Sequence, residues 1–214
     1  MGVMIVGSGD FAVSKTIEKY KSKGFKIIAA DGGANSLFEA GVIPDYSIGD
    51  YDSISKETYE WLKSNRVSMD KYPSKKDKTD MELCIDFAMS MSKEIVITGG
   101  SGYRLDHTLA NILLLIKYHQ EKINIIIEDD YNRIIILSGN NKLEVNEYMG
   151  YNLSILPYFD DLIDVTTNGL EYEVLNQRFP FGSSFGVSNV ILKENIEINI
   201  GEGIGAIIIS KDRY

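Results

Sequence analysis

Short β-branched runs alternate with helical patterns along residues 1–130. The runs at 3–6, 26–30, 46–48, 94–98 and 123–127 predict strands. Between them, the residues at 14–23, 34–40, 56–64, 79–91 and 106–118 predict helices. Two helix starts carry signals of their own. Thr79 and Glu82 have capping-box spacing, in which a hydroxyl and a carboxylate each accept an orphan backbone N–H. Asp106 is expected as an N-cap before Leu109, Ile112, Leu113 and Ile116, which are spaced to bury one face. Strands alternating with helices predict an α/β fold with a mainly parallel sheet covered on both sides.

The pattern changes at residue 131. Strand-like runs follow at 133–137, 142–145, 152–156, 187–192, 196–200 and 206–209, and no helical period is evident. Turn-formers such as Ser138-Gly139-Asn140-Asn141 and Gly201-Glu202-Gly203 punctuate them. The expectation is two domains: an α/β catalytic domain over 1–130 and a C-terminal antiparallel β-sandwich over 131–214. No repeat or low-complexity segment interrupts either.

Composition narrows the classes of function. The chain has 214 residues, 44% hydrophobic and 25% charged, as a folded protein does. Its formal net charge is -9 and no dense run of Lys or Arg occurs, which argues against nucleic acid as a partner. A small cationic substrate suits this balance. Cys84 is the single cysteine, so a reducing compartment is expected and the thiol reads as a small core residue. Neither a basic leader nor an apolar run of membrane-spanning length is present, which predicts a soluble cytoplasmic protein with no membrane partner.

Ligands of open α/β sheets bind beyond the carboxyl ends of the strands. Here those positions are acidic or glycine-rich: Asp31-Gly32-Gly33-Ala34-Asn35, Gly49-Asp50-Tyr51-Asp52-Ser53 and residues 99–107. A further loop, Lys75-Lys76-Asp77-Lys78-Thr79-Asp80, leads into a helix. Carboxylates converging on one sheet edge repel one another unless a cation neutralises them, and hard oxygen ligands select Mg²⁺. Asp50 and Asp52, two apart across a turn, are close enough to share a metal. Glycines let backbone amides approach phosphate, and Arg104 offers a planar fork to phosphate oxygens. These are the parts of a phosphoryl-transfer site.

Each part has a plainer alternative. Aspartates in such loops form turns or cap helices. His107 and Asn111 share a helix face, where either is able to serve structure alone, and Lys75 and Lys76 read equally as a solvated loop. A redox alternative also presents itself, because Gly7-Ser8-Gly9-Asp10-Phe11-Ala12 matches a dinucleotide fingerprint with Asp31 at ribose-binding spacing. Asp10 opposes it by standing where a pyrophosphate would approach. That reading also leaves the loops of Asp50, Asp52, Asp77 and Asp80 without employment.

In order and spacing, Asp31-Gly-Gly-Ala-Asn35, Ile43-Pro44-Asp45, Gly49-Asp50-Tyr51-Asp52-Ser53, Lys76-Asp77-Lys78-Thr79-Asp80 and Arg104-Leu105-Asp106-His107 resemble the thiamine pyrophosphokinase family. Asn111 continues the last motif, and Gly186-Val187-Ser188-Asn189 resembles a segment of that family's second domain. The resemblance implies a homodimer with active sites between subunits, forming thiamine diphosphate and AMP from ATP and thiamine with Mg²⁺. It implies Asp50, Asp52 and Asp80 as metal ligands and Asp31 beside the reacting phosphates. It implies Asn35, Lys76, Asp77 and Thr79 bordering substrate, with Arg104, Asp106, His107 and Asn111 at the nucleotide. Ser188 and Asn189 are implied as thiamine contacts. Two other readings are the same transfer to a 6-hydroxymethylpterin and a silent nucleotide-sensing module.

Overall fold

A computed structural model describes residues 1–9, 13–73 and 77–212. The chain divides into two compact units, Met1–Asp130 and Tyr131–Tyr214.

The first unit is built on six parallel strands: β1 (Val3–Val6), β2 (Lys26–Ala30), β3 (Tyr46–Gly49), β4 (Ser68–Lys71), β5 (Glu94–Thr98) and β6 (Asn124–Glu128). Their spatial order is β4-β3-β2-β1-β5-β6. Central β1 is buried along its whole length, as a strand covered on both faces must be. Five helices join the strands: α1 (Ser14–Ser22), α2 (Gly33–Glu39), α3 (Lys56–Ser64), α4 (Asp80–Met89) and α5 (Leu105–Gln120). Of these, α2 packs on β1 and β2, α4 on β1, β2, β3 and β5, and α5 on β6. None of the described helices is long and apolar enough to cross a membrane.

Local chemistry sets the helix ends. The Ser55 hydroxyl accepts the Thr58 amide at 3.0 Å and starts α3. Thr79 does the same for α4, accepting from the Glu82 amide at 3.2 Å. The reciprocal half of that box is replaced, because the Glu82 carboxylate accepts from Lys117 Nζ at 2.9 Å. Asp106 is not an N-cap. Helix α5 begins one residue earlier, Arg104 holds the cap position without a side-chain bond, and Asp106 lies in the first turn paired to Arg104. An acid from far along the chain caps α1: Asp130 accepts the Thr16 amide at 2.9 Å.

The pattern of apolar runs did not foresee β4. Its sequence, Ser-Met-Asp-Lys, is polar and mostly exposed because it forms the edge of the sheet.

The second unit is antiparallel: β7 (Asn132–Ser138), β8 (Asn141–Asn146), β9 (Asn152–Asn168), β10 (Gln177–Phe179), β11 (Asn189–Val190), β12 (Asn195–Ile200) and β13 (Glu202–Ser210). The order is β7-β13-β9-β12-β8, with β10 and β11 also paired to β9. Strand β9 is 17 residues long and serves two sheets. Its first half pairs with β13 and its end with β12. Leu153, Ile155, Leu162 and Val165 of β9 meet Ile196, Ile198, Ile200, Ile207 and Ile209 in one core. Each such fully buried side chain contributes on the order of 1.5–3 kcal/mol.

Candidate functional site

From β1 the chain steps outward to β4, then returns to lay β5 on the other side of β1. A reversal of this kind opens a crevice at the carboxyl ends of the strands. A cavity of about 770 Å³ lies there, lined by residues following β1, β2, β3 and β5 and by the starts of α4 and α5.

The two glycine loops face each other backbone to backbone. The Gly7 amide donates to the Thr98 carbonyl and the Gly9 amide to the Gly99 carbonyl, each at 2.8 Å. Gly99 has φ +64, and a Cβ there would stand 2.3 Å from the Gly7 carbonyl oxygen. A Cβ on Gly9 would stand 2.2 Å from the Ser101 carbonyl. The glycines at 7 and 9, which mimic a dinucleotide fingerprint, are therefore explained by loop packing. Asn111, buried on α5, secures the same region by donating to the Gly100 carbonyl at 2.6 Å. Ser101 donates to buried Asp129 at 3.1 Å.

The acids gather opposite. Ligand oxygens of Asp31, Asp50 and Asp52 all lie within 4.8 Å of one another, a set able to hold a hard divalent cation. The loops that carry them are tied together. Asp31 takes a left-handed conformation with φ 44, and its carboxylate accepts the Tyr51 amide at 3.0 Å. Asp50 accepts the Asp52 amide at 3.1 Å. Burial pushes the Asp31 carboxyl above the usual range against hydrogen bonds from Ser53 and the Gly32 amide, and the charges of Asp80 and Asp50 add to the rise.

Asp80 lines the same cavity beside Asp77 and Thr79, outside the tight cluster that Asp31 completes. Arg104 and His107 line it from α5, whereas Asp106 turns to Arg104, with the Arg104 Nη2 to Asp106 Oδ2 distance at 2.6 Å. Asn35 lies off the wall. Its Nδ2 donates to the Ser53 carbonyl and its Oδ1 accepts the Ser55 amide, both at 3.0 Å, so it holds the loop after β3. Lys76 lies outside the described residues.

Ser188 and Asn189 belong to the second unit. Ser188 is exposed with φ 60, and its amide donates to Ser154 Oγ at 3.0 Å. Asn189 closes a loop on Tyr172, accepting its amide at 3.0 Å and donating to its carbonyl at 2.8 Å.

Ser8, Ser101, Thr108 and Lys78 also line the cavity without having been assigned roles from the sequence. Lys78 stands inside the very motif that supplies Asp77, Thr79 and Asp80, so its position in the sequence was the available signal.

Known proteins resemble this chain in sequence and fold. Residues 17–127 match the thiamin pyrophosphokinase catalytic domain, and residues 140–204 match the thiamin pyrophosphokinase vitamin B1 binding domain. The thiamine pyrophosphokinase of Bacillus subtilis is 30% identical over 212 residues, covering 98% of this chain and 99% of its own. A Caenorhabditis elegans relative, thiamin pyrophosphokinase 1, is 25% identical over 197 residues, covering 86% and 79%. The crystal structure of the Bacillus subtilis thiamine pyrophosphokinase superposes with a TM-score of 0.90 at 27% identity, covering 99% of this chain and 100% of that one. The Geobacillus thermodenitrificans structure gives 0.87 at 28%, covering 100% and 99%. With both halves matched in order along the whole chain, this protein belongs to the thiamine pyrophosphokinase family.

Proposed function

We propose that this protein transfers the diphosphate of ATP to the hydroxyl of thiamine, giving thiamine diphosphate and AMP. The observation that carries the reading is the Asp31, Asp50 and Asp52 cluster facing glycine loops within one cavity. Asp31, Asp50 and Asp52 would hold Mg²⁺, with Asp80 beside them. The donor set fits, because a small hard cation takes carboxylate oxygens and completes its shell with water and phosphate. When bound, the ion offsets negative charge on the transferred group.

The thiamine oxygen forms a bond to the β-phosphorus of ATP as the bond from that phosphorus to the bridging oxygen of AMP breaks. The hydroxyl proton passes to a carboxylate of the cavity. Arg104 binds phosphate oxygens, together with glycine-loop amides other than those of Gly7, Gly9 and Gly102, which already donate within the fold. Asp77, Thr79, His107 and Asn111 border the substrates, and Ser188 and Asn189 contact thiamine. A homodimer with active sites between subunits belongs to the same proposal and rests on the family resemblance, as does a cytoplasmic setting, which a lone buried Cys84 suits. A fully active monomer in light scattering would overturn the dimer.

The test is AMP formation from Mg²⁺ and ATP with and without thiamine, followed by mass analysis of the product. Thiamine-dependent AMP with one thiamine diphosphate per turnover supports the reading. AMP formed with a hydroxymethylpterin in place of thiamine would move the assignment to that alcohol.

A further inference from the structure

Between the acids Asp50 and Asp52 stands Tyr51, with φ 67 in the left-handed region. Gly, Asn or Asp is the usual occupant of that region, and a bulky side chain is out of place in it. Among the described non-glycine residues with positive φ, only Tyr51 and Phe159 are aromatic. Such a conformation persists only where its surroundings enforce it, and binding and catalytic sites are where it collects.

Three contacts enforce it here. The Tyr51 amide donates to Asp31 Oδ1 at 3.0 Å. The Tyr51 hydroxyl reaches back four residues and donates to the Ser47 carbonyl of β3 at 2.8 Å. Its ring meets that of Tyr59 on α3 edge to face, with centroids 5.9 Å apart and planes at 62°. The backbone of Tyr51 thus serves an acid of the cluster, while its side chain is pinned to a strand and a helix. Tyr51 does not itself line the cavity.

All three acids depend on this turn. Asp31 is oriented by the Tyr51 amide directly, and it packs against the end of β3, where a Cβ on Gly49 would stand 2.8 Å from the Asp31 Cβ. Asp50 accepts the Asp52 amide at 3.1 Å, a turn with Tyr51 at its centre. Stability is a poor reason for a tyrosine at that centre, because glycine adopts the same backbone without strain. Glycine would bring no anchor, however, and the acids would move with a loose loop. Partners that orient metal-binding carboxylates from outside matter nearly as much as the ligands do.

We propose that Tyr51 is a positioning residue of the metal site, whose side chain, pinned to Ser47 and Tyr59, locks the turn that carries Asp50 and Asp52 and the amide that orients Asp31. The inference rests on the Mg²⁺ reading above and adds to it a residue that is not a ligand.

The test uses Mn²⁺ as the probe, with unbound ion read by electron paramagnetic resonance in the absence of nucleotide and thiamine. Urea denaturation of each metal-free variant checks that it folds. Tyr51→Gly removes both anchors, relieves the backbone strain and weakens Mn²⁺ binding by roughly tenfold. Tyr51→Phe keeps the ring against Tyr59, loses the Ser47 bond and weakens binding by about two- to threefold. In Tyr51→Gly the Mg²⁺ needed for half-maximal AMP formation rises roughly tenfold, while turnover at saturating Mg²⁺ stays within about threefold of wild type. Mn²⁺ binding in Tyr51→Gly as tight as in wild type overturns the inference. A loss of turnover that saturating Mg²⁺ does not restore also overturns it, since general damage gives that result. Should Tyr51→Gly not unfold cooperatively, Tyr51→Phe decides, and wild-type Mn²⁺ affinity there is the contrary result. If Tyr51→Gly loses Mn²⁺ affinity as stated but the wild type forms no thiamine-dependent AMP, the thiamine reading fails and the Tyr51 assignment stands. A wild type whose Mn²⁺ affinity is unchanged by Asp52→Asn overturns both the metal site and this role.

Discussion

Asn35 is tied to the Ser53 carbonyl at 3.0 Å, a side-chain bond that holds the loop after β3 to the start of α2. The same amide group accepts from Ser55, so both of its polar atoms serve the loop that carries Asp50 and Asp52. Asn35→Ala should cost about 1–2 kcal/mol of stability and lower turnover by roughly tenfold, because a loosened loop misplaces two acids. Urea denaturation and AMP formation measure the two effects. Full turnover with reduced stability would make Asn35 a residue of the fold alone.

Asp52 is the exposed member of the acid cluster. Asp52→Asn should leave folding intact and lower turnover at least about tenfold, roughly 1.4 kcal/mol of barrier. Near-normal turnover in that variant would remove Asp52 from the metal site.

The acids after β2 and β3 were legible in the sequence because an α/β alternation marks where strand ends fall. Their grouping was less so. The family motifs put Asp80 with Asp50 and Asp52, whereas the folded chain sets Asp31 closest. That closeness comes from the parallel register Ala30 to Ile48, which carries Asp31 alongside the β3 loop. Register between strands is a tertiary relation that spacing along one chain does not display. Strand β9 was legible only at 152–156 for a related reason. Its buried positions run Leu153, Ile155, Pro157, then Leu162, then Val165 and Thr167, so the two-residue period changes phase twice. Positive φ at Phe159 and Asp164 produces those shifts.

Asp31 has a raised pKa, so the folded protein binds its proton more readily than the unfolded chain does. Its contribution to stability is therefore fully present below the ordinary value of 3.8 and is lost as pH rises through the higher folded value. Metal-free wild type compared with Asp31→Asn across that window should show the difference in denaturation midpoint. Mg²⁺ affinity should fall on acidification through the same window, because proton and metal compete for the carboxylate. A flat difference between the two proteins would contradict the placement of Asp31.

Gly99→Ala forces a Cβ into the Gly7 carbonyl at a left-handed position. A loss of at least about 2 kcal/mol is expected, read by thermal or urea denaturation. A variant as stable as the wild type would mean that the two glycine loops part readily.

Ser188 and Asn189 separate two kinds of effect. The Ser188 bond to Ser154 is made by its backbone, so Ser188→Ala should raise KM for thiamine with stability nearly unchanged. Asn189→Ala removes the bonds to Tyr172 and should in addition cost about 1–2 kcal/mol. If Ser188→Ala leaves KM for thiamine unaltered, that serine is not a substrate contact.

Strand β9 is a single ruler against which the strands of both sheets of the second unit are measured. Deleting one residue before Phe159 would shift its pairing with β13, while deleting one after Asp164 would shift its pairing with β12. The stretch between them is pinned as well, because Leu162 lies in the core and pairs with Phe179 while Ile163 pairs with Glu202. A one-residue deletion anywhere along the longest strand therefore breaks either a ladder or the core contact of Leu162, so that strand fixes the dimensions of the whole second unit.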